Sequence, residues 1–273
     1  MTTDEEIIRA VEQACDEVDP ETGALFDFYA RLLRRLAARR ATLDRDPATL
    51  FDAAQAAARL RAGEPQLTFD RLGLQAATFG PWAREVRDLL AERDPGLAFE
   101  AEALDDETAL TLARASFEQG TTGDGPALDA IIANALAPWL EQAAALILPR
   151  LPLALWRQAY CPICSGAPDF AAIEPDGKHR TLLCERCRAE WPVPVGFCVF
   201  CGEDDPTLLG YYSSPDETYR LDVCDRCGHY LKVILRRAAP AALLPAERLL
   251  TPGLDLLAAE EGYTRPAGWE NEL

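Results

Sequence analysis

The sequence predicts an all-helical N-terminal domain followed by small β modules that bind metal, and three observations predict it. Residues 1–157 carry apolar side chains at three- and four-residue spacing, punctuated by helix caps. From 158 to 237 the texture changes to short strand-like pieces separated by turn signals. Eight of the nine cysteines fall between residues 161 and 227. A last segment, 238–273, carries one more helix around LDLLAAEEGY and a proline-containing end.

The helical elements follow in order. Thr3 followed by Glu6 resembles a capping box opening the first helix. In the second, Leu25, Phe28, Tyr29, Leu32, Leu33 and Leu36 share one face. The basic run RLLRRLAARR at 31–40 alternates with that face and reads as a solvated surface. Asp46-Pro47 places a cap and an N1 proline before a third helix, ended by Gly63. Gly80-Pro81 opens a fourth that runs to Asp94-Pro95-Gly96, and Asp105 caps a fifth that stops at Gly120. A sixth starts near Pro126 and is expected to kink at Pro138. No fixed-period repeat stands out in this half.

In the second half TLL (181–183), PVPVGF (192–197), LLGYYSS (208–214) and YLKVIL (230–235) read as strands, and EPDG and GEDD as turns. The chain of 273 residues has a net charge of −18 and a pI of about 4.5. Such acidity repels nucleic-acid phosphates and anionic lipid, so neither partner is expected. The N-terminus lacks the basic, apolar, small-residue order of a secretory signal. The most apolar stretch, 135–156, is interrupted by Glu141, Arg150 and three prolines, so no membrane insertion is expected. A cytoplasmic location follows, where cysteines favour metal over disulfides.

The cysteines form four CxxC knuckles: Cys161/Cys164, Cys184/Cys187, Cys198/Cys201 and Cys224/Cys227. Each CxxC turn presents two sulfurs on one side, and two such turns complete a tetrahedral four-thiolate site that suits zinc or iron. Consecutive pairing gives CxxC-x19-CxxC and CxxC-x22-CxxC, each interval long enough for a hairpin. Nested and crossed pairings stay open but are less favoured. The modules, about 158–195 and 196–237, therefore read as rubredoxin-like or zinc-ribbon-like. Gly166, Gly202 and Gly228 suit the turns after the knuckles, whereas Arg188 directly after Cys187 does not. On spacing alone the sites read as structural zinc, since four protein ligands leave no open position. A thioredoxin-like role needs a βαβ unit, which is not apparent here. His179 and His229 read as bystanders, Cys15 as a packed or partly exposed helical residue, and Glu203, Asp204 and Asp205 as a solvated turn. No nucleotide-binding, zincin or nucleophile-elbow motif is present, and no enzymatic activity is expected.

With the knuckles and their flanks in view, the chain resembles the formate dehydrogenase accessory proteins, the FdhE family. YCPIC, LLCERCRAEW with Trp191, FCVFC, VCDRCGHYLK with Tyr230-Leu231-Lys232, and the tail LDLLAAEEGYTR carry the likeness, over about 158–265. The resemblance implies a cytoplasmic accessory factor that binds the catalytic subunit of a respiratory formate dehydrogenase and is needed for its activity. It also implies two metal ions per chain, iron favoured and zinc the alternative. The ligands it implies are Cys161, Cys164, Cys184 and Cys187, then Cys198, Cys201, Cys224 and Cys227. A rubredoxin-like electron-transfer protein is the second reading. A zinc-ribbon nucleic-acid binder is third, disfavoured by charge.

Overall fold

A computed structural model describes residues 3–44, 46–95 and 104–266. Helix α1 (Asp4–Ala14) opens on the expected capping box, with the Thr3 N–H donating to Glu6 at 2.8 Å and the Glu6 N–H donating to the Thr3 hydroxyl at 3.3 Å. Helix α2 (Pro20–Ala41) is capped by Asp19 and buries Phe28, Leu32, Leu33 and Leu36, as its periodicity predicts. Arg31, Arg34 and Arg35 lie on the exposed face that the pattern predicts, but each is held in an ion pair. Arg31 pairs with Glu92 at 2.6 Å, Arg34 with Glu12, Arg35 with Glu85, and Arg40 with Asp4 and Glu141.

The single helix expected after Asp46 is two, α3 (Pro47–Leu50) and α4 (Ala56–Ala62). The Asp52 carboxylate accepts the Ala54 N–H at 2.9 Å, a local turn that competes with helical pairing. Gly63 does end α4, at φ 74°. Helix α5 (Ala76–Ala91) starts before Gly80-Pro81 rather than at it, and contains Pro81. Gly80 serves packing instead: a Cβ there would lie 2.5 Å from the Asp106 Cα, so α5 and α6 (Asp106–Gln119) touch backbone to backbone. Gly96, the expected stop of this helix, lies outside the described residues. Asp105 caps α6 through the Thr108 N–H at 2.8 Å, and Gly120 ends it at φ 83°.

Helix α7 (Pro126–Ile147) runs unbroken through Pro138. Residues 126–150 are long and apolar enough by composition to cross a membrane, a span that starts ahead of the interrupted stretch 135–156. In the fold this helix is the central post of the core: Ile131, Ile132, Leu136, Trp139, Leu140 and Ile147 are all buried. One apolar cluster continues from these helices into the cysteine region, through Trp156, Ile163, Leu182, Trp191 and Val233.

The β half is one mixed sheet of β1 (Pro168–Ile173), β2 (His179–Cys184), β3 (Glu190–Pro194), β4 (Leu209–Ser213), β5 (Tyr219–Cys224) and β6 (His229–Leu235), in the order β3-β2-β1-β6-β5-β4. Strands β1 and β5 escaped the sequence reading. Each three-strand unit is antiparallel, and the two units join through parallel β1–β6 pairing, Phe170 opposite Lys232 to Ile173 opposite Leu235. The units thus stand side by side in the same local order, and the modules expected as separate share a sheet.

The one helix expected in the tail is also two, α8 (Leu244–Leu250) and α9 (Pro252–Glu260), broken at Thr251-Pro252. They cover one face of the sheet. Lys232, 1% exposed, reaches across to the Arg248 carbonyl at 2.7 Å and the Asp255 carboxylate at 2.8 Å.

Candidate metal centres

The knuckles assemble in consecutive pairs. Cys161, Cys164, Cys184 and Cys187 form one group, and Cys198, Cys201, Cys224 and Cys227 a second, with all sulfurs of a group within 4.8 Å of one another. Sulfur separations are 3.5 Å for Cys161–Cys187 and 3.6 Å for Cys164–Cys184. In the second group Cys198–Cys227 and Cys201–Cys224 are each 3.7 Å. A metal–sulfur bond of about 2.3 Å in a tetrahedron gives an edge of about 3.8 Å. Both groups match that donor geometry, so each could hold one metal ion.

The same turn builds every knuckle. The N–H of the residue after the second cysteine donates to the carbonyl of the first: Ser165 to Cys161 at 3.1 Å, Arg188 to Cys184 at 3.3 Å, Gly202 to Cys198 at 2.9 Å and Gly228 to Cys224 at 2.8 Å. Each of these residues adopts positive φ, Ser165 at 65°, Arg188 at 55°, Gly202 at 75° and Gly228 at 71°. The turn residue of the first knuckle is therefore Ser165, not Gly166. Gly166 is there for space, because a Cβ would sit 3.0 Å from the Cys184 sulfur and 2.6 Å from Arg186. Arg188 takes the left-handed position despite its side chain, held by Glu141 at 2.8 Å and Asp4 at 3.3 Å.

Those contacts bolt the first group to the helices. Pro162 and Ile163 accept from the Gln66 and Leu67 N–H groups at 3.0 and 2.9 Å. Arg186 donates to the Ser116 carbonyl near the end of α6, and Arg188 meets the buried Glu141 of α7. All four sulfur-bearing residues of this group are buried. In the second group Cys198 and Cys224 are buried, Cys227 is half-buried and Cys201 is exposed. Its knuckles are tied to each other by Arg226–Glu203 at 2.8 Å, and to the tail by the Tyr263 hydroxyl on Asp225 at 2.6 Å.

Burial shapes the thiol chemistry. In the first group it pushes Cys184 and Cys187 well above the ordinary thiol range, while Cys164 is held well below by thiol hydrogen bonds, that of Cys161 foremost. In the second group burial raises Cys198, and Cys227 to about 11. Burial opposes ionisation at Cys224 too, yet the Cys227 and Arg226 N–H groups hold it below the usual value.

Among known proteins, the FdhE homolog of Erwinia tasmaniensis is 28% identical over 217 residues, 75% of this chain and 68% of its own. The FdhE homolog of Aquifex aeolicus is 31% identical over 114 residues, 40% of each chain. FdhE of Escherichia coli is 31% identical over 113 residues, 40% of this chain and 36% of its own. The crystal structure of the FdhE protein from Pseudomonas aeruginosa shares the fold, with a TM-score of 0.68, 23% identity, and coverage of 96% of this chain and 92% of that one. No family profile matches the chain. The chain is thus similar to FdhE proteins in sequence and shares their fold.

In this FdhE-like chain the motif residues outside the cysteines are mostly structural. The Tyr230 hydroxyl donates to Asp255 at 2.7 Å, and Arg265 reaches both Tyr230 at 3.0 Å and Asp255 at 2.6 Å. The YLK and LDLLAAEEGYTR motifs thus meet, fastening the tail to the sheet. His179 pairs with Asp176 at 2.8 Å, and His229 stacks edge-on against Phe200, its ring 5.7 Å away. Cys15 donates to the Val11 carbonyl at 3.5 Å and belongs to neither group. Glu203 does more than form a solvated turn, since it caps Asp204 and Asp205 and holds Arg226. Glu141 and Arg188 were missed as a pair. Their signal was present: a lone acid inside an apolar helix and an arginine where the turn prefers glycine.

Proposed function

We propose that this FdhE-type accessory protein is a cytoplasmic maturation factor that holds the catalytic subunit of a respiratory formate dehydrogenase and is needed for its activity. Cys161, Cys164, Cys184 and Cys187 would hold one metal ion, and Cys198, Cys201, Cys224 and Cys227 a second, iron favoured over zinc. The observation that carries the reading is the pair of tetrahedral four-thiol groups on an FdhE-like fold. Bound iron would supply one-electron ferrous–ferric chemistry with no change of ligands. The Asp4, Arg40, Glu141 and Arg188 network locks the first group to the helices, a structural duty. The second group presents Cys201 outward, where a client can touch it.

Two measurements test this. A tagged chain should capture the catalytic subunit, and its deletion should abolish formate dehydrogenase activity while the subunit is still made. Elemental analysis of protein purified without oxygen should find about two irons per chain, with colour on air exposure. Two zincs, with full client activity, would leave both sites structural and remove the redox part. The exposure of Cys201 also favours a second reading, rubredoxin-like electron transfer, which reversible bleaching and turnover with a reductase would support.

A further inference from the structure

The two outer edges of the sheet are built differently. At β3, the Cys184 N–H donates to the Ala189 carbonyl at 2.9 Å and the Val195 N–H to the Lys178 carbonyl at 3.1 Å. Hydrogen-bonded pairs alternate along an antiparallel ladder, so Trp191 and Val193 face β2 and Glu190, Pro192 and Pro194 turn their backbones outward. Two of those three positions are prolines, which have no N–H to offer. That edge is closed.

At β4 the phase is set by the Asp225 N–H on the Leu208 carbonyl at 2.9 Å and the Ser214 N–H on the Tyr219 carbonyl at 2.9 Å. Gly210 and Tyr212 therefore face β5, and Leu209, Tyr211 and Ser213 turn outward. None of the three is proline or charged, and Tyr211 is 62% exposed. Among the described residues no backbone group outside the sheet pairs with them. Leu209 and Tyr211 also line a cavity of about 140 Å³, with Phe197, Phe200 and the second-group Cys224, and with Arg180 and Arg220 both turned to Asp222. Exposed Asp204 and Asp205 precede the strand, and exposed Asp216 and Glu217 follow it.

We infer that the β4 edge receives an extended cationic segment of a partner protein as a seventh strand, its alternate apolar side chains entering the cleft beside the second cysteine group. Main-chain pairing supplies the affinity and the cleft the side-chain selection. The acidic residues at both ends of β4 select positive charge. A second copy pairing β4 against β4 would bring those acidic ends together, which opposes it. The inference deepens the proposed function and rests on its reading of the chain as a holder of a client protein.

The test uses the intact metal-loaded chain and a ten-residue peptide of alternating lysine and valine, with a glutamate–valine counterpart. Tyr211→Pro removes an outward N–H without touching the β5 ladder, and Tyr211→Ala removes the ring alone. Ser213→Pro, at the next outward position, serves if Tyr211→Pro fails to fold. The lysine peptide should bind, the glutamate peptide should not, and the proline variant should bind roughly tenfold more weakly than the alanine variant. Hydrogen exchange at Leu209, Tyr211 and Ser213 should slow on binding. No binding at millimolar peptide, equal binding by both variants, or protection elsewhere overturns the inference. So does dimerisation of the free chain that Tyr211→Pro abolishes. Client capture separates the two ideas. Equal capture by wild type and Tyr211→Pro overturns the edge and leaves the maturation reading intact. A wild-type chain that captures no client sinks that reading, while the peptide measurements decide the edge.

Discussion

Two four-thiol groups made by the same turn and nearly the same spacing occupy opposite environments. The first has all four cysteines buried, with helices α1, α6 and α7 reaching its second knuckle through Asp4, Ser116 and Glu141, and Arg40 of α2 pairing with Asp4 and Glu141 behind them. The second borders a cleft and exposes Cys201. Identical local chemistry thus yields a fastening in one place and an accessible face in the other. What a cysteine cluster does depends on what covers it, and the knuckle does not encode its cover.

The largest test of that contrast compares one ligand from each group. Cys184→Ser should cost the chain its cooperative fold, because structural metal contributes about 10–16 kcal/mol in small domains against a typical net stability of about 5–15 kcal/mol. Cys201→Ser should halve the metal content while leaving the helical circular-dichroism signal and most of the melting temperature in place. Equal collapse of both variants would erase the contrast.

Next in size is the clamp. Glu141→Ala leaves Arg40 and Arg188 beside an apolar helix without their buried partner, and should destabilise by about 3–5 kcal/mol in denaturant unfolding. A loss under about 1 kcal/mol would mean that the network does not hold the first group. Metal release sharpens the comparison kinetically. With excess chelator the chain should lose metal in two phases of equal amplitude, the faster by roughly tenfold or more, since the buried ion is released through local opening. Cys201→Ser should remove the fast phase. The smallest effect separates turn geometry from packing. Gly202→Ala meets no neighbour within 4 Å, so its cost should be the positive-φ penalty alone, about 1–2 kcal/mol. A larger loss would mean that the second group is more constrained than its exposure implies.

Much of this protein is legible along the chain. The capping box at Thr3, the Asp105 cap, the Gly63 and Gly120 stops and the apolar face of α2 are each written within a few residues. The knuckle pairing was readable as well, because the intervals within each pair, 19 and 22 residues, are long enough to hold a hairpin. Strands β1 and β5 were harder. PDFAAI shows no clear alternation, since β1 is covered on both faces, whereas YRLDVC does alternate, with Tyr219, Leu221 and Val223 set against Arg220 and Asp222, and a short run next to a cysteine knuckle hides that signal. The early start of α5 was masked by Gly80, which stands there for contact with Asp106 rather than to begin a helix.

By itself, then, the sequence determined the helices, the turns and four paired knuckles, because caps, periodicity and thiol spacing act over a few residues. Tertiary structure alone decided that β1 meets β6 in parallel, that Lys232 is buried against Asp255, and that one cysteine group is sealed while the other is open. Those outcomes depend on residues up to 184 positions apart, such as Asp4 and Arg188. No local spacing carries them, because burial is a property of whatever part of the chain comes to lie on top.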